Sequence, residues 1–181
     1  CTIEHSEQFI DLLETWDVPL FLSGHLHVQH CKRSEDNRGI WEMVTASLAT
    51  PSCKYAILTY RDDRSFLYRT QSLDVEAWAK KNQCTEEDLL NFKQFQTPFL
   101  RRVFYNQAIA SLNEVPELTD SEREQMAQLY SLLKFHYYQG TAYQVQEPVR
   151  NDPAYELWQE DGMATQQGEY FRYILEDGKR D

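Results

Sequence analysis

The stretch Leu20-Phe21-Leu22-Ser23-Gly24-His25-Leu26-His27-Val28-Gln29-His30-Cys31 decides how the rest of the chain is read. Its first three residues form a short continuous apolar run, the pattern of a strand buried on both faces. Gly24 ends that run, and a residue without Cβ predicts a sharp backbone turn there. Three of the chain's five histidines follow. His25 and His27 stand two apart, so an extended backbone would project both imidazoles to one side. Imidazole is the commonest metal ligand, and in open α/β sheets ligands sit beyond the carboxyl ends of the strands. His25 and His27 are therefore the candidate metal ligands.

Upstream of this stretch, Phe9, Leu12, Leu13 and Trp16 recur at spacings of three and four, which predicts an amphipathic helix from a Ser6 cap to Trp16. Asp17-Val18-Pro19 breaks it. Downstream, the polar residues from Lys32 to Gly39 predict a solvated loop. Ile40 to Thr45 and Lys54 to Tyr60 predict strands, and Arg61-Asp62-Asp63-Arg64 a hairpin turn into a further strand from Ser65 to Thr70. Asp62 and Asp63 are best read as residues of that turn.

Past residue 75 the pattern becomes helical. Thr85-Glu86-Glu87-Asp88 has the form of a capping box, and Leu89, Phe92, Phe95 and Phe99 follow at helical spacing, with Pro98 expected to kink or split that helix. A second box, Thr119 with Glu122, opens a helix that Gly140 should terminate. Asp152-Pro153 predicts another start, with Asp as cap, and Tyr170 to Leu175 a last helix. The aromatics of this half, Phe92, Phe95, Phe99, Phe104, Tyr130, Phe135, Tyr137 and Tyr138, are expected in a core because of their spacing. The chain thus divides into a β-rich segment, 1–75, and a helical one, 76–181, with no internal repeat.

Composition narrows the function classes. At 181 residues, with 41% hydrophobic and 13% aromatic residues, the chain can bury a core, so disorder is excluded. A net charge of −11 argues against broad nucleic-acid binding, which needs many phosphates neutralised. It does not exclude a phosphorylated substrate, because a bound metal ion can dominate the local field. No apolar run is long enough for a transmembrane helix. The four cysteines, Cys1, Cys31, Cys53 and Cys84, form no Cys-x-x-Cys pair and leave the compartment open.

Residues 7–60 resemble the C-terminal part of a calcineurin-like metallophosphoesterase. Gly24-His25-Leu26-His27 matches the Gly-His-x-His that closes that family's active-site motifs, and Trp41-Glu42-Met43-Val44-Thr45-Ala46-Ser47-Leu48-Ala49-Thr50-Pro51 stands where a following strand carries a Gly or Ser near the site. The resemblance implies an α+β chain, the end of an αββα sandwich followed by a helical extension. It assigns His25 and His27 one metal each in a dinuclear centre of manganese, iron or zinc, acting on a phosphomonoester or phosphodiester. The family's earlier Asp-x-His, Gly-Asp and Gly-Asn-His motifs are absent. The chain is therefore expected to begin after most of the catalytic residues, to bind metal weakly and to be inactive alone. A sandwich lacking half its core should expose apolar surface and self-associate.

Other residues are weaker candidates. His30 and Cys31 would complete a four-ligand zinc set with His25 and His27, but such sites usually draw on two separated knuckles. Cys31 lacks an evident base for nucleophilic work. His5 belongs to the first helix turn, His136 to the aromatic core, and Ser47 to its own loop. Cys1 as a lipidated terminus would need a polar tether that the sequence does not supply. The competing class is a non-catalytic helical interaction module in which the histidines are incidental.

Overall fold

The computed structural model describes residues 4–33, 39–48, 50 and 53–177, so Cys1 and most of the polar loop after Arg33 lie outside it. The fold is α+β, with its strands before residue 73 and, apart from one helix at the start, its helices after 74. Helix α1 spans Ser6–Thr15 and is followed by β1 (Leu20–Ser23), β2 (His30–Arg33), β3 (Trp41–Val44), β4 (Lys54–Tyr60) and β5 (Phe66–Ser72). Ser6 is the first helical residue rather than the cap. His5 takes the cap position in a left-handed conformation.

The first three strands form one sheet in the order β1-β3-β2, with β1 parallel and β2 antiparallel to β3. β2 falls where a loop was expected, because Lys32 and Arg33 pair with Glu42 and Trp41 across the sheet. β4 and β5 make a separate hairpin. Its turn is held by Asp63, whose carboxylate accepts from the Ser65 amide at 3.0 Å and from the Ser65 hydroxyl at 2.6 Å, the turn role that the sequence suggests. The expectation that β1 is buried on both faces fails. Among the described residues β1 has a single strand neighbour, α1 covers part of it through the Phe9–Phe21 ring contact, and Leu22 is 55% exposed. A metallophosphoesterase sandwich is not what these five strands build among the described residues: they form a three-stranded sheet and a hairpin.

The helical part consists of α2 (Val75–Lys81), α3 (Glu87–Leu90), α4 (Phe92–Leu112), α5 (Asp120–Gln139), α6 (Gln146–Arg150), α7 (Ala154–Glu160) and α8 (Gln166–Asp177). Asp74 caps α2, accepting from the Ala77 amide at 3.0 Å. Thr85 forms no box, and the short α3 has Glu86 at its cap position without a side-chain bond. α4 continues through Pro98 for 21 residues. Packing along α5 outweighs the one backbone bond that proline removes. The box at Thr119 is present in both directions, and Gly140 ends α5 at φ +72°. Ahead of α7, Asp152 accepts from the Ala154 amide at 2.9 Å, although Pro153 holds the cap position.

The main core lies between α4, α5, α7 and α8. Trp158, Tyr130, Phe171, Met126, Leu133 and Ile174 are almost fully inaccessible there. Of the aromatics expected inside, Phe104, Tyr130 and Tyr137 are buried, and Phe135 and Tyr138 pack at the core's margin. Phe95 and Phe99 instead stack on each other at 5.3 Å, with Phe99 37% exposed. Val28 and Val44 of the β-rich segment join the same core cluster.

Candidate functional site

The loop carrying His25 and His27 owes its place to strand direction. β1 and β3 run parallel, and β2 begins at the end where both finish. Residues 24–29 therefore arch over the carboxyl end of the central strand, the position at which ligands bind in sheets with parallel pairs. Beside the ends of β1 and β3 lies an open groove of about 390 Å³, lined in part by Ser23, Thr45, Tyr68 and Lys54. Lys54 donates to the Gln139 carbonyl at 2.7 Å, and burial lowers its pKa from the ordinary lysine value. Ser23 donates to Glu42 at 2.6 Å.

The turn is not made by glycine. Gly24 has no positive φ, and a Cβ there would meet nothing. The left-handed residues are His25 at φ 94° and His27 at φ 58°. The extended course that would place both rings on one side is therefore not the one taken. A non-glycine residue with positive φ costs on the order of 1–3 kcal/mol and persists only where its surroundings impose it. Two such residues within three positions mark this loop as constrained. Both histidines are exposed, and neither imidazole has a hydrogen-bond or ion-pair partner among the described residues.

No group of three or more His, Cys, Asp or Glu gathers as a metal site among the described residues. His25 and His27 alone are too few donors for a whole metal site. The four-ligand zinc set is ruled out within those residues, because His30 is engaged elsewhere: its Nε2 lies 3.0 Å from Asp177 Oδ2. The Cys31 thiol is pushed up by desolvation, the wrong direction for a nucleophile. His136 pairs through Nδ1 with the Thr141 hydroxyl at 3.0 Å and packs edge-on to Phe135, the structural role expected.

Sequence reading missed two buried ionic features. The first is Asp177, which also accepts from the Tyr137 hydroxyl at 2.9 Å and has Lys32 Nζ at 3.5 Å. Burial alone would raise its carboxyl pKa, but His30, Tyr137 and Lys32 outweigh that and hold it below the ordinary value. The second is Lys134, 7% exposed, whose ammonium donates to Gln107 at 2.9 Å and to the Tyr130 hydroxyl at 3.0 Å. Three rings, Phe104, Tyr130 and Tyr170, have centroids 4.9 to 5.1 Å from it. Nothing in Leu132-Leu133-Lys134-Phe135 distinguishes this lysine from one whose head reaches water. Although Asp177 reaches back to His30 and Lys32 of β2, Asp177 and Lys134 both lie in the helical half.

That half decides the family. A profile described as the C-terminal domain of cyclic nucleotide phosphodiesterase matches residues 74–181, from the cap of α2 to the end of the chain. The chain belongs to this cyclic nucleotide phosphodiesterase C-terminal domain family. No curated protein matches the chain in sequence. The match overturns the calcineurin-like assignment: the family signal resides in the helical segment, whereas that resemblance rested on residues 7–60, with Gly24 to His27 as its one complete motif. What the cyclic nucleotide phosphodiesterase match supports is a phosphodiesterase-related, hydrolase function. None of the described helices is long and apolar enough to cross a membrane.

Proposed function

We propose that this chain is the C-terminal portion of a phosphodiesterase whose substrate is a cyclic nucleotide, and that its loop at residues 24–29 contributes to the catalytic site. The observation that carries this reading is the family match over residues 74–181. The loop supports it: two exposed imidazoles sit on constrained backbone over the carboxyl ends of parallel strands. His25 and His27 would each give a nitrogen to a centre of two divalent cations, manganese, iron or zinc, whose remaining ligands come from outside the described residues. Such a centre supplies an activated water and stabilises charge developing on the phosphoryl oxygens. The groove beside the strand ends would receive the substrate, with Lys54 as the cation of its lining among the described residues.

Two imidazoles hold a divalent ion weakly. Titration of this chain with manganese, followed by broadening of the histidine ring signals, should show the first effects at His25 and His27. Weak binding should be lost in the His25→Ala, His27→Ala double variant. Cyclic nucleotide should not be turned over by the chain alone above the rate in buffer. Uniform broadening of His5, His25, His27 and His136 would refute the metal assignment and leave the interaction-module reading ahead.

The exposed Leu22, Leu48 and Leu58 around the groove, with Tyr60 on the Leu58 face of β4, form the surface through which the isolated chain would self-associate. Sedimentation velocity should then show a mass that rises with concentration. A monomer throughout the micromolar range would remove this part of the reading.

A further inference from the structure

The His25–His27 loop carries two left-handed residues, and something must impose that conformation. The restraints are not in its own strand. Val28, the residue after His27, is 2% exposed and belongs to the core cluster of the helical half, and Leu26, on the other side of His27, packs against the same cluster. The Gln29 amide donates to the Tyr138 carbonyl at 3.3 Å. Gly140 closes on the same point: a Cβ there would lie 2.9 Å from the Gln29 carbonyl oxygen, so only glycine lets α5 end against the loop. One residue further, His30 meets Asp177 at the end of α8, itself bonded to Tyr137 of α5. The loop is therefore gripped at Leu26, Val28, Gln29 and His30 by the end of α5 and the end of α8, while His25 and His27 stay exposed.

We infer that the helical half is a positioning device for the histidine loop, with Asp177 as the positioning residue that closes the grip by joining His30 to Tyr137. This rests on the reading of the loop as part of the phosphodiesterase site. Asp177 touches no reacting group in this role. It fixes where β2 starts and so confines the backbone of the two residues that carry the exposed imidazoles. The helical family domain would then act on the reaction through the geometry of a loop outside the matched segment.

The test has two arms on this chain. In the first, without metal, amide hydrogen exchange is read by NMR for wild type, Asp177→Asn and Tyr137→Phe. Release of the grip should speed exchange of the Gln29 amide by about tenfold, while Leu133 and Tyr130 in the middle of α5 stay within about twofold. A merely structural role for Asp177 would move the core amides as well. Tyr137→Phe keeps the ring in the core and removes only the hydroxyl, so it decides the matter if Asp177→Asn weakens the whole fold. Unchanged exchange at Gln29 in Tyr137→Phe, or equal acceleration at Gln29 and Leu133, overturns the inference. In the second arm, manganese is added to wild type and the broadening of the His25 and His27 ring signals is followed. Faster Gln29 exchange in the variants with no selective broadening in wild type keeps the grip and discards the metal assignment. Selective broadening with unchanged exchange does the reverse.

Discussion

Trp158→Ala should cost about 3–5 kcal/mol of unfolding free energy, the range for removing a fully buried aromatic ring. Trp158 is 0% exposed at the centre of the helical core. Its indole stacks on Phe171 at 5.1 Å and 14° and lies 5.6 Å from Tyr130. Its Nε1–H donates to the Met126 carbonyl at 2.9 Å, so one side chain ties α7 to both α8 and α5. Domains of this kind have only about 5–15 kcal/mol of stability, so the loss should take about a fifth or more of it. For a chain of this length that corresponds to a melting temperature lower by roughly 6–20 °C. Far-ultraviolet circular dichroism against temperature measures it, with Trp78→Ala as the control, because Trp78 is 55% exposed. Trp78→Ala should shift stability by no more than about 0.5 kcal/mol. A Trp158→Ala loss below about 1 kcal/mol would mean that the ring does not pack as described.

The helices around Trp158 were the legible part of the sequence, and the reasons are local. Thr119, Glu122 and Gly140 act through backbone groups within their own helix, so their spacing alone announces where α5 starts and stops. Where a neighbour decides, the sequence misleads. Pro98 reads as a break, yet α4 runs on because α5 packs along it. Leu20-Phe21-Leu22 reads as a strand covered on both faces, but an apolar run carries no record of which neighbours are present, and β1 has one. Gly24 reads as the pivot of the histidine loop, yet the left-handed backbone falls on His25 and His27, imposed by contacts through Val28 and Gln29 with residues more than a hundred positions later. The candidate site was therefore legible as a set of residue types and illegible as a geometry. The family itself was not read from the sequence: its profile matches the helical half, where no single motif stands out.

Lys134→Met should remove a pH dependence of stability that the wild type shows between about pH 8 and pH 10. Burial lowers the Lys134 ammonium to about 8 from an ordinary value of 10.5. Below pH 8 the folded and unfolded chains both carry this proton, and the folded one bears the full cost of keeping a charge out of water, roughly 3 kcal/mol by proton linkage. Between pH 8 and 10.5 the unfolded chain binds more protons than the folded one, so stability rises with pH through that window. Two sets of groups work the other way: burial raises Cys31 and Cys53 above the ordinary thiol value, and Tyr130, Tyr137 and Tyr170 above the ordinary phenol value. They are present in both proteins, so the difference between wild type and variant isolates the lysine. Methionine keeps most of the volume and can replace the contact of the ammonium with the three rings by sulfur–aromatic contact. The groups left behind are not orphaned. The Tyr130 hydroxyl still donates to Gln167, and Gln107 is exposed and can turn to water. The cation–π attraction, worth about 2 kcal/mol when desolvated, offsets part of the gain. Lys134→Met should therefore be more stable than wild type at pH 7 by about 1 kcal/mol, and because linkage returns about 2 kcal/mol to the wild type alone by pH 9.5, the order should reverse there, with the wild type the more stable by about 1 kcal/mol. Urea unfolding of both proteins at pH 7 and pH 9.5 reads the difference. A gap that stays constant across that range would show that Lys134 keeps its ordinary proton affinity in the fold, and that the aromatic cage solvates the charge as well as water does.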